Sequence, residues 1–281
     1  MRDHIAVRPL RTLGEFEACH GVQKKAWAFP DQLIIPYTQL VTIQQNGGIV
    51  LGAFDGSDLV AFVYGYLGRL PELPLYLYSQ RMGVLPSYQG QGIGEQLKWA
   101  QRAWALQQGI DRILWTYDPL EPPNAWLNIA KLGGIVHQYK RDIYGQHNTP
   151  LHDGLPSDRF LLEWELGNSR VLSRLAPDWK APDADALLAR AGPPLNTITW
   201  DSRGLPHSDQ PDLTEEGPLV HASVPANWQE IRQVDMSLAA DWRAKTRHLF
   251  EHYLERGYTI TGYASGRKTS HRCNFYLLER S

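Results

Sequence analysis

The residues best placed to do chemistry lie between Arg81 and Leu97, in the run RMGVLPSYQGQGIGEQL. An apolar stretch enters a turn that holds Gly90, Gly92 and Gly94, and a helical pattern follows. Such a turn presents backbone N–H groups that have no intrahelical acceptor, at the positive end of a helix dipole. It is suited to hold phosphate. Glycine serves there because a side chain would block close approach and because some turn positions take positive φ. Three phosphate-binding patterns compete. A P-loop needs Gly-Lys-Ser/Thr, which the chain lacks. A dinucleotide fingerprint needs glycine at position 95, where Glu95 stands, and it belongs after the first strand of a parallel unit. The third, Gln-x-x-Gly-x-Gly, is met by Gln89, Gly92 and Gly94, with Val84 and Pro86 before it and Leu97 after it.

The elements around this turn follow from periodicity. Apolar spacing predicts a helix over 12–29 that Pro30 stops. Strands are expected over 49–54, 59–67 and 75–84, with Asp55-Gly56 as a hairpin turn between the first two. That arrangement is an antiparallel meander. Ile93, Leu97, Ala100 and Trp104 place one buried stripe on a helix over 92–108, and Gly109 ends it. A strand over 112–117 closes at Asp118-Pro119. A helix over 124–132 and strands over 135–144 and 159–166 complete this part. Beyond Gly167 the composition shifts. A helix is expected over 183–190, a proline-rich loop over 192–218 with a short strand at 197–200, one long helix over 227–256, and a final hairpin of 258–263 and 273–278.

The glycine turn in this strand–helix–strand order resembles the acyl-CoA N-acyltransferases of the GNAT superfamily, whose pyrophosphate motif is Gln/Arg-x-x-Gly-x-Gly/Ala after a strand ending in Val-x-Pro. The resemblance covers residues 5–166. A second stretch, NAWLNIAKLGG over 124–134, is similar to the family's asparagine-bearing helix that ends in Lys-Leu-Gly and lines the pantetheine arm of CoA. By that likeness Asn124 or Asn128 supplies an amide to the arm. The plain alternative for Asn124 is a helix cap. The chain also looks like a longer subgroup with an extra C-terminal region, one known activity of which is N-succinylation of amino acids. The implied fold is mixed α/β, a largely antiparallel sheet with flanking helices over 1–167, followed by a smaller C-terminal α/β region over 168–281. The implied cosubstrate is acyl-CoA, acetyl-CoA or succinyl-CoA, with no metal. The implied partner is a small-molecule amine.

Acyl transfer to an amine has three needs. The ammonium, of pKa around 10, must lose a proton. The thioester carbonyl must be polarised, and the thiolate must leave. The resemblance assigns polarisation to the strand end Met82, Gly83 and Val84, and the pyrophosphate to the N–H groups of Gln89, Gly90, Gln91, Gly92, Ile93 and Gly94. Asp118 is the first candidate base, with Glu121 and Glu163 as rivals; a turn residue before Pro119 is the plain reading of Asp118. Many family members carry a tyrosine acid where this chain has Ile129, so the acid is sought at Tyr144, Tyr139 or Tyr117. Tyr144 is preferred, and water serves if none acts. Arg159 and Arg141 are candidates to grip a carboxylate on the acceptor.

Composition excludes other classes. With 28 Lys plus Arg against 30 Asp plus Glu, the net charge is −2, unlike a general nucleic-acid binder. No run of eighteen apolar residues predicts a membrane span, and the N-terminus lacks the apolar core of a signal peptide, so a cytoplasmic protein is expected. Cys19 and Cys273 alone form neither a disulfide framework nor a zinc site. His248 and His252 are four apart but lack the HExxH glutamate. The C-terminal region is expected to cover the acceptor side of the cleft or to join two chains in a homodimer. Two readings stand beside the enzyme of small molecules: a non-catalytic acyl-CoA sensor, suggested by Ile129, and a protein lysine acetyltransferase.

Overall fold

The computed structural model describes residues 4–145, 154–181, 184–268 and 271–280. The chain divides into two compact units, one of Met1–Trp115 with Glu165–Gly167, the other of Thr116–His147, Gly154–Trp164 and Asn168–Ser281.

The first unit runs β1 (Ile5–Pro9), α1 (Leu13–Trp27), α2 (Tyr37–Gln45), β2 (Ile49–Asp55), β3 (Asp58–Leu70), β4 (Leu73–Val84), α3 (Ile93–Gln107) and β5 (Arg112–Tyr117), the last two residues of β5 belonging to the second unit. Its strands follow chain order, antiparallel from β1 to β4 and parallel between β4 and β5. Thr12 opens α1 by accepting from the Glu15 N–H, and Ala28 closes it in the left-handed region. Leu10, Phe16, Cys19, Val22 and Leu40 bury against Val50, Phe54, Phe62 and Tyr64 of the sheet, which gives this unit its core. Neither β1 nor α2 stands out in the sequence. The first is a short edge strand of mixed burial, and the second buries only Leu40.

The second unit runs α4 (Pro122–Ala125), a wide π turn over Trp126–Lys131, β6 (Ile135–Lys140), β7 (Arg159–Glu165, its last residue in the first unit), α5 (Ser169–Leu172), α6 (Ala184–Leu188), β8 (Ile198–Trp200), β9 (Pro206–Ser208), β10 (Leu219–Pro225), α7 (Trp228–Val234), α8 (Met236–Glu255), β11 (Tyr258–Lys268) and β12 (His271–Arg280). Strands β7, β6, β11, β12 and β10 neighbour one another in that order, antiparallel throughout, while β8 and β9 form a separate pair. Phe160, Phe250 and Tyr276 meet edge to face, with ring centroids 4.8–5.5 Å apart, a geometry that adds to their burial.

The expected long helix over 227–256 is two helices. Asp235 is extended at φ −149°, and its carboxylate accepts from the Leu238 N–H 3.0 Å away, so it starts α8 rather than continuing α7. Apolar spacing hid this break, because Val234 keeps the rhythm yet is 56% exposed. The strand expected over 135–144 ends at Lys140, where a turn with Asp142 at φ +40° follows. Asp183, the expected start of a helix, lies outside the described residues.

Candidate functional site

The glycine turn has the form that anion binding needs. Gly90 and Gly92 take φ of +74° and +82°, a region that costs other residues about 1–2 kcal/mol. Gly92 is the N-cap of α3 and offers no side chain to cap it. The N–H groups of Gly90, Gln91, Gly92, Ile93 and Gly94 donate to no protein acceptor among the described residues. An added Cβ at Gly90 or Gly92 would meet no atom within 4 Å, so the space beside them is open. The loop is braced from its own side chains. Gln89 Nε2 donates to the Val84 carbonyl at 3.1 Å, Gln91 Nε2 to the Ser87 carbonyl at 2.9 Å, and Tyr88 Oη to Asp55 at 2.8 Å. Both glutamine amides thus hold the turn's shape rather than cap its bare N–H groups.

The strand leading into the turn is prepared in a second way. Tyr64 pairs with Arg81 and Gly65 with Ser79, so Gln80 is an extra residue, a bulge that bends β4. On its other edge β4 pairs with β5 only at Leu77–Ile113 and Tyr78–Leu114. Past that point the strands fork. The Leu85 N–H donates to Val60 of β3 at 2.9 Å. By alternation Gly83 also faces β3, while Met82 and Val84 turn their N–H groups to the edge away from it. Of the three residues expected to polarise a carbonyl, Met82 and Val84 therefore present donors, and Gly83 is spent in the sheet. The Val84 carbonyl, on that same edge, is the one that Gln89 holds.

The second unit gathers the residues expected to move protons. Asp118 ends β5 and is gripped by both Arg243 nitrogens, Nη1 at 2.9 Å and Nη2 at 2.6 Å, while Arg159 stands 3.8 Å off and the Leu120 N–H donates at 2.9 Å. Burial works to raise its pKa, but the Arg243 charge and hydrogen bonds outweigh this and hold the carboxyl below the usual range. A carboxylate so paired is a weak base, and the expectation for Asp118 gives way to its neighbour on the same turn. Glu121 is pushed up to about 7, by burial first and by the Asp118 charge second. Its Oε1 accepts from Gln229 Nε2, and Arg232 Nη1 donates to Gln229 Oε1 at 3.2 Å, so α7 orients this carboxyl. Glu163 lies elsewhere, 3.9 Å from His137.

Among the candidate acids, Tyr139 donates to buried Asp158 at 2.7 Å, and burial with that charge pushes its pKa well up. Burial likewise raises Tyr117. Tyr144 is 40% exposed, with its hydroxyl 3.5 Å from Thr116 Oγ1 and its ring 5.5 Å from the Arg159 guanidinium. Arg159 thus brings Tyr144 and Asp118 together. Arg141 is paired with Glu251. Asn124 is exposed within α4, whose N-cap is Glu121, so capping does not account for it. Asn128 is buried in the π turn, where the Leu132 N–H reaches back to the Leu127 carbonyl at 2.9 Å. Such wide turns recur at functional sites.

Sequence reasoning missed Arg243, Arg247, Gln229 and Lys98. The first three are charged or amide residues on helices whose plain reading is solvation, and only tertiary pairing reveals them. Among the described residues no group of three or more His, Cys, Asp or Glu could hold a metal ion, and no helix is long and apolar enough to cross a membrane.

Residues 15–125 match the model of the acetyltransferase (GNAT) family, a span that includes the forked strand, the bare turn and Asp118 to Asn124. Those residues therefore carry a GNAT acetyltransferase domain, the domain of the acyl-CoA-dependent N-acyltransferases. Among solved structures, yncA, a putative acetyltransferase from Salmonella typhimurium with its cofactor acetyl-CoA, is 15% identical, with 64% of this chain and 98% of that one covered at a TM-score of 0.48. The ribosomal-protein-S18-alanine N-acetyltransferase from Escherichia coli is 14% identical over 63% of this chain and 99% of its own, at a TM-score of 0.46. No curated protein matches the chain.

Proposed function

We propose that the chain moves an acetyl or succinyl group from acyl-CoA to the primary amine of a small molecule, an amino acid first among the candidates. The observation that carries this reading is the run of unpartnered N–H groups from Gly90 to Gly94 at the head of α3, inside the matched family span. These groups take the pyrophosphate, and Met82 and Val84 take the carbonyl oxygen as it gains charge. In the second unit Glu121 accepts the proton of the acceptor ammonium. At a pKa of about 7 it is half ionised at neutral pH and returns the proton to water after each turnover. Asp118 holds the turn that carries it. Tyr144, or water, protonates the leaving thiolate, and Arg159 meets an acceptor carboxylate. Asn124 and Asn128 are assigned to the pantetheine arm.

Attack is direct. Burial pushes the Cys19 thiol up to about 12 and Cys273 is buried, so neither suits a thiol relay. The functional boundary is placed at Gly167, with 168–281 as an added region that supplies Gln229 and Arg243 to the Asp118–Glu121 turn. A cytoplasmic homodimer belongs to the same proposal, and sedimentation tests its second part.

The test is CoA release from acetyl-CoA and succinyl-CoA against D- and L-amino acids, polyamines and lysine peptides. Turnover with free amino acids supports the proposal and names the acyl group. Turnover with lysine peptides alone moves the assignment to a protein acetyltransferase. Binding of acyl-CoA with no turnover on any amine moves it to a sensor.

A further inference from the structure

One buried cation has no part in the chemistry assigned so far. Lys98 is 3% exposed. Its Nζ donates to Ser79 Oγ at 2.7 Å and stands 3.7 Å from the centre of the Trp115 ring. Among the described residues no carboxylate pairs with it. The groups that face its ammonium are Ser79 from β4 and Trp115 from β5, neither of them charged. An ammonium buried on these terms costs stability, and a methionine would fill the space without that cost. One turn along α3, Gln101 is fully buried, and neither of its amide atoms has a partner among the described residues. The stripe that α3 lays on the sheet is therefore polar where an apolar one would be more stable.

The position of Lys98 gives the reason. The last paired residues of the parallel strands are Tyr78 and Leu114. Ser79 and Trp115 are the next residue on each, so Lys98 fills the crotch of the fork. Ser79 is also one flank of the Gln80 bulge. The other flank, Arg81, is tied by its Nη1 to the Leu33 carbonyl at 2.8 Å. The bulge is thus held on both sides, and one holder is a lysine on the helix whose first turn carries the bare N–H groups.

We propose that Lys98 is a positioning residue for acyl transfer: its ammonium, wedged between Ser79 and Trp115, holds the fork open and fixes the bulge, and so aims the Met82 and Val84 N–H groups at the thioester. The inference rests on the acyltransferase reading and adds to it a part played by the charge of one buried side chain. Burial pushes Lys98 down to about 7. The charge is therefore lost as pH rises through neutrality, and kcat falls with it. Glu121 gives the opposite limb, since it gains its charge over the same range.

The experiment follows kcat, KM and CoA affinity for the native chain, Lys98→Met and Ser79→Ala as functions of pH. In Lys98→Met, kcat is expected to drop about a hundredfold, the scale of a small misplacement at the reacting centre. The alkaline limb is expected to vanish while free CoA binds within about twofold of native. In Ser79→Ala the ammonium keeps only the ring, and the alkaline limb moves to lower pH. A Lys98→Met enzyme with native kcat and a native alkaline limb overturns the inference. So does loss of CoA binding in step with kcat, which makes the lysine a support of the fold alone. Absence of turnover by the native chain overturns the acyltransferase reading, and this inference with it.

Discussion

The two units hold the polar groups of their candidate sites in different ways. In the first, among the described residues, five consecutive N–H groups donate to no protein acceptor, Lys98 has a hydroxyl and a ring for company, and neither amide atom of Gln101 finds a partner. In the second, Asp118 takes both arms of Arg243, and fully buried Asp158 takes both arms of Arg247 together with the Tyr139 hydroxyl and the Asp142 N–H. A buried polar group left unpaired costs about 1–3 kcal/mol, a cost that falls on Gln101 and not on the N–H groups of the turn, whose residues are exposed or half-buried apart from Ile93. Paired groups fix geometry. On the proposed reading a ligand completes the turn of the first unit, while the paired groups of the second hold the Asp118 turn still.

The largest effect is expected where pairing is tightest. Arg243→Met leaves Asp118 buried without its partner and should cost about 3–5 kcal/mol in urea unfolding. The double variant with Asp118→Asn should recover most of that loss, and failure to recover would show that the clamp is not what the arginine supplies. Glu121→Gln should lower kcat by about two orders of magnitude at unchanged acyl-CoA KM and abolish the acid limb of the pH profile. A surviving limb would remove Glu121 as the base.

Gly92→Ala should weaken acyl-CoA binding by about tenfold, because φ of +82° strains any side chain by about 1–2 kcal/mol and the relaxed turn re-aims its N–H groups. Unchanged affinity by calorimetry would mean that the turn carries no ligand. At Lys98 the effect is on stability. Its folded pKa of about 7 lies below the unfolded 10.5, so the unfolded chain binds more protons between those values and native stability rises with pH across that window. Lys98→Met should therefore be more stable than native by about 1–3 kcal/mol below pH 7. The gap should close toward pH 10.5, and a gap that does not change with pH would contradict a buried charge.

Much of the first unit is legible in the sequence, because its signals are local. Asp55-Gly56 marks a hairpin, apolar runs mark β2 to β4, and the glycines of the turn declare a backbone that must pass through positive φ. The second unit is less legible. Asp118 reads as a turn residue or a base until Arg243, 125 positions later, is seen to hold it. Glu121 stands among the rival bases in the sequence, but nothing local shows that burial and a neighbouring carboxylate raise it. Asp235 could have been read as a helix cap, had the apolar rhythm through Val234 not overridden it. Lys98 sits beside Leu97 in an amphipathic helix and gives no sign that it points inward.

The central claim is that the bare N–H groups of the glycine turn hold the pyrophosphate of an acyl-CoA. Calorimetric titration of the native chain with acetyl-CoA, and with acetyl-pantetheine that lacks the pyrophosphate, tests it most directly. The account predicts saturable binding of acetyl-CoA and a large loss of affinity for the truncated thioester. Equal affinity for the two, or no binding of either, would contradict it.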